Sequence, residues 1–87
     1  MIITATKQFY RNFTIRILPN PKLTEKFKQR VLLFAKVPQH PTLKLHKLAG
    51  NRNNYYSLSI TGDIRVILTI ENDIATFHNV GTHSQVY

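Results

Sequence analysis

The chain has 87 residues, 43% of them hydrophobic and 18% charged, with no cysteine. That length fills one core and no more, and the missing cysteines exclude a disulfide framework and thiolate metal sites. Twelve lysines and arginines against four acids leave a formal charge of +8, a field that gathers polyanions, nucleic acid above all. An anionic membrane surface or an acidic protein could use the same charge. The start Met1-Ile2-Ile3-Thr4 lacks a secretory leader, and no apolar run reaches the ~18 residues of a transmembrane helix. The expectation is a single cytoplasmic domain over residues 1–87 with no membrane partner.

Ile2 and Ile3 open a short strand, and Thr6 is a candidate N-cap for the helix that follows. Phe9, Phe13 and Ile17 recur at helical spacing, with Lys7, Arg11 and Arg16 largely outside that stripe. Pro19-Asn20-Pro21 breaks the pattern and restarts it, Asn20 as cap and Pro21 at the first helical position. Leu23, Phe27, Val31 and Phe34 form a second stripe, ringed by Lys22, Lys26, Lys28, Arg30 and Lys36, before Pro38 and Pro41 stop it. The alternation of Thr42 to Leu48 predicts a strand, followed by a polar loop over Ala49 to Asn54. Tyr55 to Ile60, Asp63 to Ile70 and Ile74 to Val80 then read as strands separated by Thr61-Gly62 and Asn72-Asp73 turns.

The first of these hairpins has two possible registers. Pairing Ile60 with Asp63 would place Asp63 and Arg65 beside Tyr56, Leu58 and Ile60. Pairing Ile60 with Ile64 instead gathers Tyr56, Leu58, Ile60, Ile64, Val66, Leu68 and Ile70 on one face, and burial of that set favours it. Ser57, Ser59 and Arg65 then fall on the opposite face, which is expected to be open and polar. The predicted fold is α+β, a helical hairpin packed on one face of a small twisted, mostly antiparallel sheet.

The residues able to do chemistry are His46, Asp63, Arg65, His78, His83 and Tyr87, with Lys44 and Lys47 close by. Cutting RNA without a metal needs a base for the 2′-OH, an acid for the leaving 5′-oxygen, and cations for the charge building on phosphate. Histidine suits both proton transfers, and arginine holds phosphate through paired N–H bonds. A histidine taken singly is more often structural, and Asp63 beside a turn is by default a turn residue. Arg65, flanked by Ile64 and Val66 on a strand, needs a partner. With no HExxH, no Cys/His cluster and few carboxylates, neither a metal nor another cofactor is expected.

His46-Lys47-Leu48-Ala49-Gly50, Tyr56-Ser57, Asp63-Ile64-Arg65-Val66-Ile67 and the terminal Val80-Gly81-Thr82-His83-Ser84-Gln85-Val86-Tyr87 together resemble the RelE/ParE toxin superfamily, closest to the YafQ/RelE-type mRNA interferases. The resemblance is specific in the sheet half and looser over the helices. It implies a toxin, neutralised by an antitoxin protein, that cuts mRNA on the ribosome and leaves a 2′,3′-cyclic phosphate. His46, Asp63, Arg65 and His83 match the family's catalytic positions. By that analogy His83 would be the general acid, His46 or Asp63 the base, and Arg65 the phosphate ligand. Lys44, Lys47, Arg52, Ser59 and Tyr87 are expected to contact RNA, with Asn51 to Asn54 as candidates for base preference. Ser59 stands where YafQ-like members carry a second histidine, and His78 has no counterpart, which leaves it structural. The alternative is a non-catalytic module on the same scaffold, a ParE-like DNA gyrase poison or a basic RNA binder.

Overall fold

A computed structural model describes residues 1–52 and 54–87. Thr6 ends the first strand, β1 (Ile2–Ala5), and starts the first helix, α1 (Lys7–Arg16), its hydroxyl accepting from the Phe9 N–H. Asn20 caps α2 (Pro21–Lys36) in the same way, through Leu23 N–H, with Pro21 in the first turn where its missing N–H costs nothing. The sheet comprises β1, β2 (His46–Lys47), β3 (Tyr56–Ser59), β4 (Ile64–Glu71) and β5 (Ile74–Thr82). Its strand order is β1-β5-β4-β3-β2, with β1 parallel to β5 and the remaining pairs antiparallel. This is the α+β arrangement expected, with a parallel edge.

The register argued from burial is the one observed. Leu58 pairs with Val66 and Tyr56 with Leu68, and the Ile60 N–H bonds the Ile64 carbonyl across a three-residue turn. Leu58, Ile60, Val66 and Leu68 are buried beneath the helices with Phe9, Ile17, Phe34, Phe77 and Val80. The rings make the helical hairpin one body with the sheet: Phe13 meets Phe27 at 4.9 Å and Phe9 meets Phe77 at 5.5 Å between centroids. Asn72 and Asp73 both take positive φ, 52° and 64°, the left-handed pair a tight β-hairpin turn requires.

Three features differ from the sequence reading. Pro41–Leu43 forms a 3₁₀ turn in place of the first part of the Thr42–Leu48 strand. His40 Nδ1 accepts from the Thr42 N–H, Pro41 has no ladder hydrogen to give, and Lys44 turns into the left-handed region at φ 47°. Of the predicted strand, His46 and Lys47 are the residues that pair with β3 among those described. Secondly, a short helix, α3 (His83–Val86), follows β5, where no element was expected.

The third correction follows from α3. The face away from the helices is not open throughout, because α3 lies across it: Ser57 is 0% exposed, Ser59 7% and Ile67 1%. The Tyr87 hydroxyl donates to Ser57 Oγ, and Val86 is buried. Gly81 makes the approach possible. A Cβ there would lie 2.6 Å from Gln85 Oε1 and 2.9 Å from Arg16 Nη1.

One irregularity matters for the site. Ile67 pairs with Asn79, but Leu68 pairs with Phe77, so β5 bulges and His78 is the extra residue. Beyond Phe77 the free edge of β5 is taken over by α1. Arg16 Nη1 donates to the Val80 carbonyl at 2.9 Å and to Asn79 Oδ1 at 3.3 Å, and Asn12 donates to the same Asn79 oxygen at 2.7 Å.

Candidate active site

Residues paired across antiparallel strands share a face, with side chains ~5 Å apart. On the face bearing α3, His46 lies opposite Ser57, Ser57 opposite Ile67, and Arg65 between Ser59 and Gly81. Tyr87 reaches Ser57 from the end of α3, and its ring meets the edge of His83 at 4.4 Å. His46, Ser57, Tyr87 and His83 thus form one chain of neighbours across β2, β3 and α3, with Arg65 a single residue pair further along the sheet.

The individual side chains differ in how far they are committed. His46 is exposed, with Nδ1 2.9 Å from the Lys44 carbonyl. A carbonyl only accepts, so this contact places the proton of the neutral ring on Nδ1 and leaves Nε2 as a free acceptor. His83, at the first position of α3, is exposed. Arg65 is half-buried and makes one long contact, Nη2 to the Gly62 carbonyl at 3.4 Å. Asp63 is exposed in the turn, its N–H held by Thr61 Oγ1. Among the described residues the single ion pair joins the N-terminus to Asp73, so neither Arg65 nor Asp63 is neutralised by a partner.

Of the residues expected to contact RNA, Lys44 and Lys47 are exposed. Ser59 is buried and donates to the Thr61 carbonyl at 2.8 Å, which commits it to the turn. Arg52 is a clamp: Nη1 donates to the Val86 carbonyl at 2.9 Å, and its guanidinium stands 5.9 Å from the Tyr55 ring and 6.0 Å from the Tyr87 ring. Asn53, in the loop considered for base preference, lies outside the described residues. Among those described, no three histidine, aspartate or glutamate side chains gather as a metal site would require, and no helix is long and apolar enough to cross a membrane.

Two residues to which the sequence reading gave no role in the site lie near it. Arg16 brings a second guanidinium to Gly81, the strand partner of Arg65. His78 lies beside Thr69, Nε2 to Oγ1 at 3.0 Å, with Tyr55 edge-on at 5.3 Å. With Lys47, Asn54 and Glu71 these three line a concavity of about 460 Å³. A signal for His78 did exist: the apolar step from Ala75 to Phe77 is two residues but from Phe77 to Val80 three, which only a bulge keeps on one face.

Burial holds the His78 pKa below its usual 6.5. Because the unfolded state then binds its proton more readily, His78 contributes stability that is complete above pH 6.5 and lost as pH falls through the lowered folded value. Thermal unfolding followed from pH 8 to 5 is expected to show this decline, with a shallower slope for His78→Gln; identical slopes would contradict it.

No protein-family model matches the sequence, and a sequence search of curated proteins finds no match. Solved structures do match. YafQ from E. coli superposes with a TM-score of 0.83 at 20% identity, covering 98% of this chain and 96% of YafQ. A copper-bound mutant toxin from Helicobacter pylori gives 0.83 at 20%, covering 100% and 99%. YafQ in the E. coli DinJ–YafQ toxin–antitoxin complex gives 0.82 at 21%, covering 98% and 94%. The chain has the YafQ fold. The similarity runs through the helical half as well as the sheet, so the YafQ-like architecture extends beyond the segments in which the sequence resemblance is strongest.

Proposed function

We propose that this chain is the toxin of a type II toxin–antitoxin pair and an endoribonuclease that cuts mRNA on the ribosome, in the cytoplasm, as one domain. The observation that supports the reading is that His46, Ser57, Tyr87 and His83 form a chain of neighbours on one face of a YafQ-like sheet, and that Arg65 lies on the same face beside Ser59 and Gly81. A ribonuclease needs that set; a gyrase poison has no evident use for it.

In this reading His46 takes the 2′-OH proton through its free Nε2, the position left by the Nδ1 contact with Lys44. That contact favours His46 over Asp63 as base, since Asp63 sits out in the turn. The 2′-oxygen attacks phosphorus, Arg65 bonds the non-bridging oxygens as charge accumulates, and His83 protonates the departing 5′-oxygen. A 2′,3′-cyclic phosphate remains, and the chain's own residues supply each step. Lys44 and Lys47 bind backbone phosphate without reading sequence. The cognate antitoxin of this reading is an acidic protein, suited to the chain's +8 charge, that covers part of this surface; YafQ likewise forms a complex with DinJ.

The test is translation in a cell-free extract dosed with purified protein, followed by primer extension on the mRNA. Discrete cuts at positions set by translating ribosomes are expected. Cuts on naked RNA as well would remove the ribosome from the proposal, and intact mRNA would remove the nuclease.

A further inference from the structure

The concavity beside the proposed cleavage site is built of groups that suit neither a core nor a simple solvated surface. Tyr55 contributes a half-exposed ring, and Thr69 and His78 a hydroxyl and an imidazole nitrogen 3.0 Å apart. Asn54 adds an amide, Lys47 a cation and Glu71 a carboxylate at the rim. About 460 Å³ is within the usual range of small-ligand pockets. Single-stranded RNA is recognised where a splayed base stacks on an aromatic ring and hydrogen-bonds through its edge. A flat ring, a paired donor and acceptor, and a lysine for the flanking phosphate meet that description.

Its position relative to the reacting groups points the same way. Tyr55 pairs with no residue of the proposed site, yet Arg52 joins them, 5.9 Å from the Tyr55 ring and 6.0 Å from that of Tyr87, which in turn meets His83. Tyr55 and Ser57 lie two residues apart along the same chain direction, about 7 Å, a distance on the order of one nucleotide of extended RNA. The bulge in β5 is what turns His78 toward Thr69, and the Asn12–Asn79–Arg16 contacts hold that bulge from behind.

Resting on the ribonuclease reading, we propose that the Tyr55–Thr69–His78 concavity is a nucleobase-binding subsite for the nucleotide next to the scissile phosphate, and so a determinant of where the enzyme cuts. Burial keeps His78 neutral to lower pH than an exposed imidazole; its Nε2 is engaged by the Thr69 hydroxyl, which keeps its remaining hydrogen-bonding positions for a base edge.

Nucleoside monophosphates test this independently of cleavage, because they hold no bond for the enzyme to cut. AMP, CMP, GMP, UMP and ribose 5-phosphate would each be titrated into isotopically labelled protein while the His78 ring and Thr69 methyl NMR signals are followed. At least one nucleotide is expected to move both signals to saturation, ribose 5-phosphate to leave them in place, and Thr69→Val or Tyr55→Leu to weaken the nucleotide about 10-fold. Amide spectra of both variants would verify their fold. Equal shifts with ribose 5-phosphate would make this an anion site, and no shift with any nucleotide would remove it; either result overturns the subsite. Saturable nucleotide binding by a protein that leaves mRNA intact would support the subsite while sinking the nuclease, and cutting without nucleotide binding would do the reverse.

Discussion

Alanine in place of His83 is expected to lower mRNA cleavage about 10²–10⁴-fold, the usual worth of a positioned proton donor, while leaving RNA affinity nearly unchanged. The side chain is exposed at the start of α3, so its removal opens no cavity. α3 itself keeps its other anchors, with Val86 buried, Tyr87 bonded to Ser57 and Arg52 holding the Val86 carbonyl. Cleavage rate and RNA binding measured on the same preparation decide the matter. Equal losses in both would assign His83 to binding, and an unchanged rate would take it out of the chemistry altogether.

Arg65→Ala should cost about 10²–10³-fold in cleavage, the effect of removing one preorganised donor to a developing negative charge, and should weaken RNA binding as well. The difference from His83 is deliberate. A phosphate ligand acts in the ground state and the transition state, whereas the acid acts only as the bond breaks. Arg65→Lys separates charge from geometry, because lysine keeps the charge but not the paired N–H fork. It is expected to recover binding more fully than rate. Full recovery of both would mean that charge alone is used, and an unaffected Arg65→Ala would exclude the residue from the site.

Much of this architecture was legible from residue pattern. Thr6, Asn20 and Pro21 mark helix starts because their side chains answer backbone groups that every helix leaves unpaired. Asn72-Asp73 marks a tight turn because these residues tolerate positive φ. The β3–β4 register followed from the apolar set alone, since a slip by one would expose it. Of the candidate site, the pattern named His46, Arg65 and His83; the structure carries them on β2, on β4 and at the start of α3, an element the pattern did not show.

The parts that were hidden share a cause. His83-Ser84-Gln85-Val86 is too short for helical periodicity to register, and its folding back over the sheet is decided by Gly81 beneath it and by Tyr87 reaching Ser57. Pro41-Thr42-Leu43 alternates like a strand, yet His40 and Pro41 close it into a turn through local bonds that hydropathy does not record. His78 reads as structural in the sequence because it has no counterpart in the family pattern, and the alternation of β5 did not show the bulge that puts it beside Thr69. Ser59, expected to contact RNA, is buried with its hydroxyl donating to the Thr61 carbonyl, a local bond that strand alternation does not record.

The parallel pairing of β1 with β5 has a consequence for how the molecule is made. Ile2 sits against Ile74 and Ala5 against Phe77, so the first strand waits for the last. During synthesis the helical hairpin emerges well before the strands that cover it, and Phe9, Phe13 and Phe27 face water until β5 arrives to complete their packing. Such distant closure is slow and leaves sticky surface exposed in the meantime. The nascent chain is therefore at its most vulnerable to aggregation, and furthest from any activity, in the interval when only its N-terminal half exists.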